Sequence, residues 1–140
     1  MEKIVLISCA SKKLHRPAKA QNLYISPLFQ YNLKFAQSFH PDKMFILSAK
    51  YGLLHPRKII KPYEKTLNKM SSPKIKEWAK GVIKQLKRVG DFKKDKFIFL
   101  AGEKYRRYLL PYLISFEIPL EGLSIGRQLK YLKEKTRSVK

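Results

Sequence analysis

The stretch KMFILSAKYGLLHPRKIIKPYEKTL, residues 43–67, sets the fold class. Its apolar run Met44-Phe45-Ile46-Leu47 suits a strand buried on both faces. The run stops at Ser48-Ala49-Lys50-Tyr51-Gly52, a small, polar turn punctuated by glycine. Polar groups delivered at the carboxyl end of a buried strand are the layout of open α/β sheets, whose ligand crevices lie there. Beyond the turn come Leu53-Leu54, a basic run and Pro62-Tyr63-Glu64, with no helical or strand period. That segment reads as a binding loop.

The same layout occurs twice more. Ile4-Val5-Leu6-Ile7 ends in Ser8-Cys9-Ala10-Ser11-Lys12-Lys13, and Phe97-Ile98-Phe99-Leu100 ends in Ala101-Gly102. Three strands ending alike predict three turns that meet at one sheet edge. Helical patterns lie between them. Ser26-Pro27 is an N-cap with proline at the first helical position, followed by Phe29, Leu33 and Ala36 at 0, +4 and +7. Ser72-Pro73 repeats the signal before Ile75, Trp78, Ala79, Val82, Ile83 and Leu86, whose opposite face of lysines, including Lys74, reads as solvated. Residues His15 to Asn22 read as a loop. A helix carrying Tyr105, Tyr108 and Leu109 is expected to kink or shorten at Pro111, which lacks a donor. A short strand is expected over Phe116 to Leu120, then a helix from Ser124 burying Ile125, Leu129 and Leu132, with a basic end fraying from about Arg127. The alternation predicts one domain over residues 1–140, an α/β sandwich with a mainly parallel central sheet flanked by helices.

Thirty-one Lys and Arg face ten acids in 140 residues, a formal net charge of +21. Charge of that size favours a polyanionic partner, nucleic acid first. Cys9 is the sole cysteine, which excludes an intramolecular disulfide and a cysteine-rich zinc module and fits a reducing, cytoplasmic compartment. No apolar run approaches the ~20 residues of a membrane span, and Met1-Glu2-Lys3 does not open a signal peptide. His15, His40 and His55 lack metal-ligand spacing, and neither a Walker A loop nor G-x-G-x-x-G is present, so no metal and no cofactor is expected.

The three turns supply the candidate site. Ser8, Cys9, Ser11, Ser48, Gly52 and Gly102 permit close approach of a ligand, and consecutive amides in such turns can cradle an anion. Lys12, Lys13 and Lys50 add point charges suited to phosphate, while Tyr51 and Tyr63 can stack or hydrogen-bond. A plainer reading leaves the glycines to turn geometry and the tyrosines to the core. Cys9 reads as an incidental thiol, since no general base is in view. Glu64 is the candidate acid–base group, with Lys50 and Tyr63 beside it; the alternative is that it only neutralises Lys61 and Lys65.

Five blocks in order carry a resemblance: Ile7 to Lys12, Leu23 to Phe29, Ile46 to Leu54, Pro62 to Leu67 and Leu100 to Tyr105. The series resembles a family of small uncharacterised bacterial and archaeal domains and, more distantly, is similar to the YaaA peroxide-stress proteins. The LSAKYGLL block with its downstream Pro-Tyr is the specific part. The resemblance implies an α/β fold with a basic cleft and affinity for DNA, linked to protection from oxidative damage. Related segments in enzymes handling deazaguanine-modified tRNA imply base-directed chemistry. Ser8, Lys12, Tyr24, Ser48, Tyr51, Gly52, Pro62, Tyr63 and Tyr105 match the pattern, whereas Cys9 stands where YaaA has proline and the YaaA insertions are missing.

The expected function is therefore nucleic-acid binding, DNA favoured over RNA, with a pocket at the sheet edge that acts on a base or nucleotide in a glycosylase-like manner. Its walls are expected to include Tyr105 and the adjoining cation Arg106. The alternatives are an enzyme for free nucleotides or modified nucleosides and a structural RNA- or ribosome-binding protein.

Overall fold

A computed structural model describes residues 1–137. The chain forms β1 (Lys3–Ser8), a two-residue β2 (Ala18–Lys19), a one-turn α1 (Ala20–Leu23) and α2 (Pro27–Ser38). β3 (Lys43–Ser48), β4 (Gly52–Leu54), β5 (Ile59–Ile60) and α3 (Ser72–Lys87) follow. β6 (Lys96–Leu100), α4 (Glu103–Arg106), β7 (Ser115–Glu117) and α5 (Ile125–Lys135) complete it.

The main sheet has the order β4-β3-β1-β6-β7 and is parallel except at β4, which returns antiparallel beside β3. Ile4 to Ile7, Ile46, Leu47 and Phe97 to Leu100 are all buried, as strands covered on both faces require. Register places Ile7 between Ile46 and Leu100, so the three central strands finish level. The chain leaves β1 toward β3 on one side and later adds β6 on the other. The strand order thus reverses between β1 and β6, the place where doubly wound sheets open a crevice.

The α/β fold with a mainly parallel sheet is the one expected. Several local details differ. The segment read as loop from His15 to Asn22 contains β2 and the start of α1, and β2 pairs antiparallel with β5. The loop after Ser48 contains the edge strand β4, too short to display a period. Ser26 caps α2 by accepting from the Phe29 amide at 3.2 Å, but the N-cap of α3 is Ser71, one residue before the expected Ser72. The helix from Glu103 ends at Arg106, and a 3₁₀ turn at Leu110–Tyr112 carries Pro111. β7 lies at Ser115–Glu117 rather than Phe116 to Leu120. In α5 Leu132 is buried but Ile125 is 66% exposed, because the helix rests on α2 through its later turns, with Tyr131 edge-on to Phe35 at 5.8 Å. The basic end expected to fray is helical to Lys135; residues 138–140 lie outside the described residues.

At the amino end of the sheet, carboxylates hold the strand starts. Asp95 accepts from the amides of Glu2 and Asp91, each at 2.7 Å, and Asp42 accepts from the Lys3 amide at 2.7 Å. Lys43 pairs with Glu2 at 2.9 Å and Lys96 with Glu117 at 2.6 Å. No helix among the described residues is long and apolar enough to cross a membrane.

Candidate functional site

The level carboxyl ends of β3, β1 and β6 bring the turns at Ser48, Ser8 and Ala101 to one edge. Two adjacent cavities open there. One, of about 700 Å³, lies between the exits of β1 and β6 and is bordered by Ser8, Cys9, Ser11, Lys12, Gly102 and Tyr105. The start of α2, the loop before α5 and Arg106 close its other sides. The second, of about 910 Å³, has Ala49, Tyr63, Met70 and Trp78 in its walls and Lys13, Lys65, Lys69 and Lys74 around them. Ser11, Lys65 and Thr66 border both, so the two adjoin.

The first cavity is stitched across the switch point. The Cys9 thiol donates to the Tyr105 hydroxyl at 3.5 Å, and that oxygen accepts from the Leu67 amide at 3.3 Å. Burial first, and the neighbouring Cys9 second, push the Tyr105 phenol up to about 12. Tyr105 therefore stays neutral at ordinary pH. Arg106 donates to the Ala101 carbonyl at 2.7 Å and lies 4.0 Å from Glu121, which fixes the β6 exit. Gly102 caps α4 with an ordinary extended backbone and leaves open space where a side chain would stand.

A buried hydroxyl chain supports the second cavity. The Tyr63 hydroxyl lies 2.7 Å from that of Tyr24 and 2.8 Å from Ser48 Oγ. Ser48 Oγ in turn accepts from the amides of Tyr51, at 3.0 Å, and Lys50, at 3.2 Å. Burial drives both tyrosines well above the usual phenol range, so neither is a base. Lys13 Nζ sits 4.4 Å from the Tyr63 ring centre and 5.7 Å from that of Tyr24, a cation–π arrangement. Burial pulls the Lys13 ammonium down, opposed by Cys9 and Glu64.

The remaining expected residues divide by position. Tyr24 and Ser48 are fully buried and act through Tyr63 rather than on a ligand. Lys50 is exposed with its ammonium over the Tyr51 ring at 5.3 Å, and Lys50, Tyr51 and Gly52 border neither cavity. The backbone there is clamped by α3. Trp78 Nε1 donates to the Ser48 carbonyl at 2.9 Å, and Gln85 bridges the Leu53 amide and the Tyr51 carbonyl at 2.8 and 3.2 Å. Gly52 has φ +72°, and a Cβ there would stand 2.3 Å from Gln85 Oε1. Its glycine serves the turn. Glu64 is exposed at the second cavity.

Several residues bordering these cavities were not among those expected from the sequence. Glu77 shares the second cavity with Glu64, so two carboxylates face one space. Lys74, Glu77 and Trp78 stand at i, i+3 and i+4 on α3, one face of its first turns. A charged pair flanking the tryptophan at the border of an apolar stripe was the available sign. Lys65, Lys69 and Met70 enter only because the 3₁₀ turn at Leu67–Lys69 folds back on the sheet edge. Asn32, on α2, borders the first cavity.

Neither a curated protein nor a solved structure matches this chain. A family model described only as of unknown function matches residues 4–134, from the first buried residue of β1 to the last turn of α5. Since that match takes in every strand of the main sheet and both cavities, the chain belongs to the family of unknown function DUF6884.

Proposed function

We propose that this protein binds nucleic acid, DNA in preference to RNA, at the carboxyl edge of its sheet, and acts there on a base or nucleotide. The observation that carries the reading is the second cavity, where Trp78 supplies aromatic wall, Lys13 covers the buried Tyr63 ring, and Lys65, Lys69 and Lys74 surround them. Stacking surface with cations around it is how single-stranded nucleic acid is held without sequence readout. The preference for DNA rests only on the resemblance to the YaaA proteins expected from the LSAKYGLL block and Pro62-Tyr63. Two carboxylates, Glu64 and Glu77, border the same space, although phosphate attraction alone gains nothing from them. They suit hydrolysis of an N-glycosidic bond. Water forms the new C–O bond at the anomeric carbon as the C–N bond breaks, a carboxylate takes the water proton, and the base leaves with the bonding pair and is protonated. The first cavity, about 700 Å³ with apolar walls and polar groups together, also favours a second reading, an enzyme for free nucleotides.

The test is fluorescence anisotropy with single-stranded, duplex, and uracil- or oxidised-base DNA, coupled to a base-release assay. Binding of single strands that weakens steeply with salt is expected. Glu64→Gln should retain that affinity and lose release by about 10²-fold or more. Salt-insensitive mononucleotide binding with no oligonucleotide affinity would contradict the proposal and favour the second reading.

A further inference from the structure

Asn32 is an anomaly on α2. The helix buries Phe29, Asn32, Phe35 and Ala36 as one stripe, in which an aliphatic residue would pack without difficulty. Asn32 is instead 5% exposed, and its Oδ1 is buried with no hydrogen-bond partner, alone in this among the described residues. Buried polar atoms that lack partners are rare in folded chains and call for an explanation. Asn32 borders the first cavity, one helical turn beyond Leu28 on the same side of α2.

Three of the polar side chains around that cavity are already engaged within the chain. Gln128 donates to the Leu123 carbonyl at 2.9 Å, Arg106 to that of Ala101, and Tyr105 holds Cys9 and the Leu67 amide. Leu28, Ile118, Leu120 and Leu123 supply apolar walls, and Lys12 stands exposed at the rim. An asparagine amide presents an acceptor and a donor side by side, and this holds whichever way its oxygen and nitrogen are placed. Its complement is a planar heterocycle with an N–H beside an acceptor, as on the edge of a nucleobase.

We propose that the crevice between β1 and β6 is a base-reading subsite, in which Asn32 hydrogen-bonds the edge of a nucleobase while the aliphatic walls cover its faces. The base belongs either to an extruded nucleotide of a bound strand or to a free nucleoside. This identification rests on the nucleotide-directed reading of the sheet edge, and its test separates from that reading. Isothermal titration with the four deoxynucleosides measures the free-base arm. Anisotropy with a 12-mer single strand, with and without a central abasic site, measures the strand-borne arm.

Asn32→Leu should raise the melting temperature, since it removes an unpartnered amide from an apolar stripe. It should also weaken the base-bearing strand or the nucleoside by about 10- to 100-fold. Affinity for the abasic strand should not change. Asn32→Ala, which favours helix and adds no bulk, must give the same loss. Equal binding of base-bearing and abasic strands by wild type and both variants would overturn the subsite and leave nucleic-acid binding intact. Nucleoside binding lost in both variants, with no strand bound by any form, would keep the subsite and overturn the nucleic-acid reading. A lower melting temperature with unchanged binding would assign Asn32 a structural role and overturn the subsite. Absence of both nucleoside and strand binding in the wild type would overturn both.

Discussion

At the amino ends of β1 and β6, Asp95 accepts from two backbone amides at 2.7 Å, while near their carboxyl ends Asn32 borders a cavity with its buried oxygen left without a partner. The contrast extends to charge. Glu2, Asp42, Asp91, Asp95 and Glu117, half of the ten acids, stand at the amino end, where four of them anchor strand starts or pair with a strand lysine. Glu64 and Glu77 instead border an open cavity together with four lysines. Both ends of the sheet hold polar groups by internal hydrogen bonds, at the carboxyl end through Ser48, Tyr63 and Tyr105. Only the carboxyl end adds a buried oxygen without a partner and two carboxylates beside a cavity, which costs stability and provides a place for a ligand.

Breaking the satisfied end should have the largest effect on folding and none on binding. Asp95→Ala removes the acceptor of two charge-assisted hydrogen bonds and should cost about 3 kcal/mol in urea unfolding at pH 7. The amides of Asp91 and Glu2 hold the Asp95 carboxyl below its ordinary value of 3.8. Its contribution is therefore complete above that pH and disappears as pH falls through the lower folded value, so wild type and variant should converge in acid. DNA affinity should not change.

Gly52→Ala probes a residue that lies at the functional end and yet serves the fold. The positive φ and the collision with Gln85 should cost about 2 kcal/mol, again by urea unfolding, with the cavities intact once folded. The hydroxyl chain under the second cavity gives a smaller effect with its own pH signature. Tyr24, Tyr63 and Tyr105 all have raised phenols. The unfolded chain loses those protons near pH 10 while the folded chain keeps them, so stability is complete below about pH 10 and falls as pH rises toward the folded values. Tyr63→Phe should lose about 1 kcal/mol at pH 7 and make that alkaline decline shallower, read from urea midpoints between pH 9 and 11.5.

What could be read from the residues follows the same division. β1, β3 and β6 were legible because a strand buried on both faces is a continuous apolar run with nothing to confuse it. Their polar exits were legible as a meeting place because parallel strands finish together. The edge strand β4 was not, since Gly52-Leu53-Leu54 is shorter than one period of alternation. Tyr24 and Ser48, expected among the ligand-binding residues, lie buried beneath the second cavity, where Tyr63 returns from a distant loop to bond both. Asn32 sat among Phe29, Leu33 and Ala36, and an amide in an apolar stripe carries no signal until its cavity is seen. Glu77 was masked by the lysines around it on α3.

The contrast between the two ends is tested most directly by the salt dependence of DNA affinity in two triple variants of equal charge change. Lys65→Ala/Lys69→Ala/Lys74→Ala strips the second cavity, while Lys87→Ala/Lys93→Ala/Lys94→Ala strips exposed lysines near the amino end. The slope of log affinity against log salt should become shallower by about 2 to 3 for the first set and stay within experimental error of wild type for the second. Equal losses from both sets would contradict the account, because DNA would then be responding to the overall charge of +21 rather than to the carboxyl edge of the sheet.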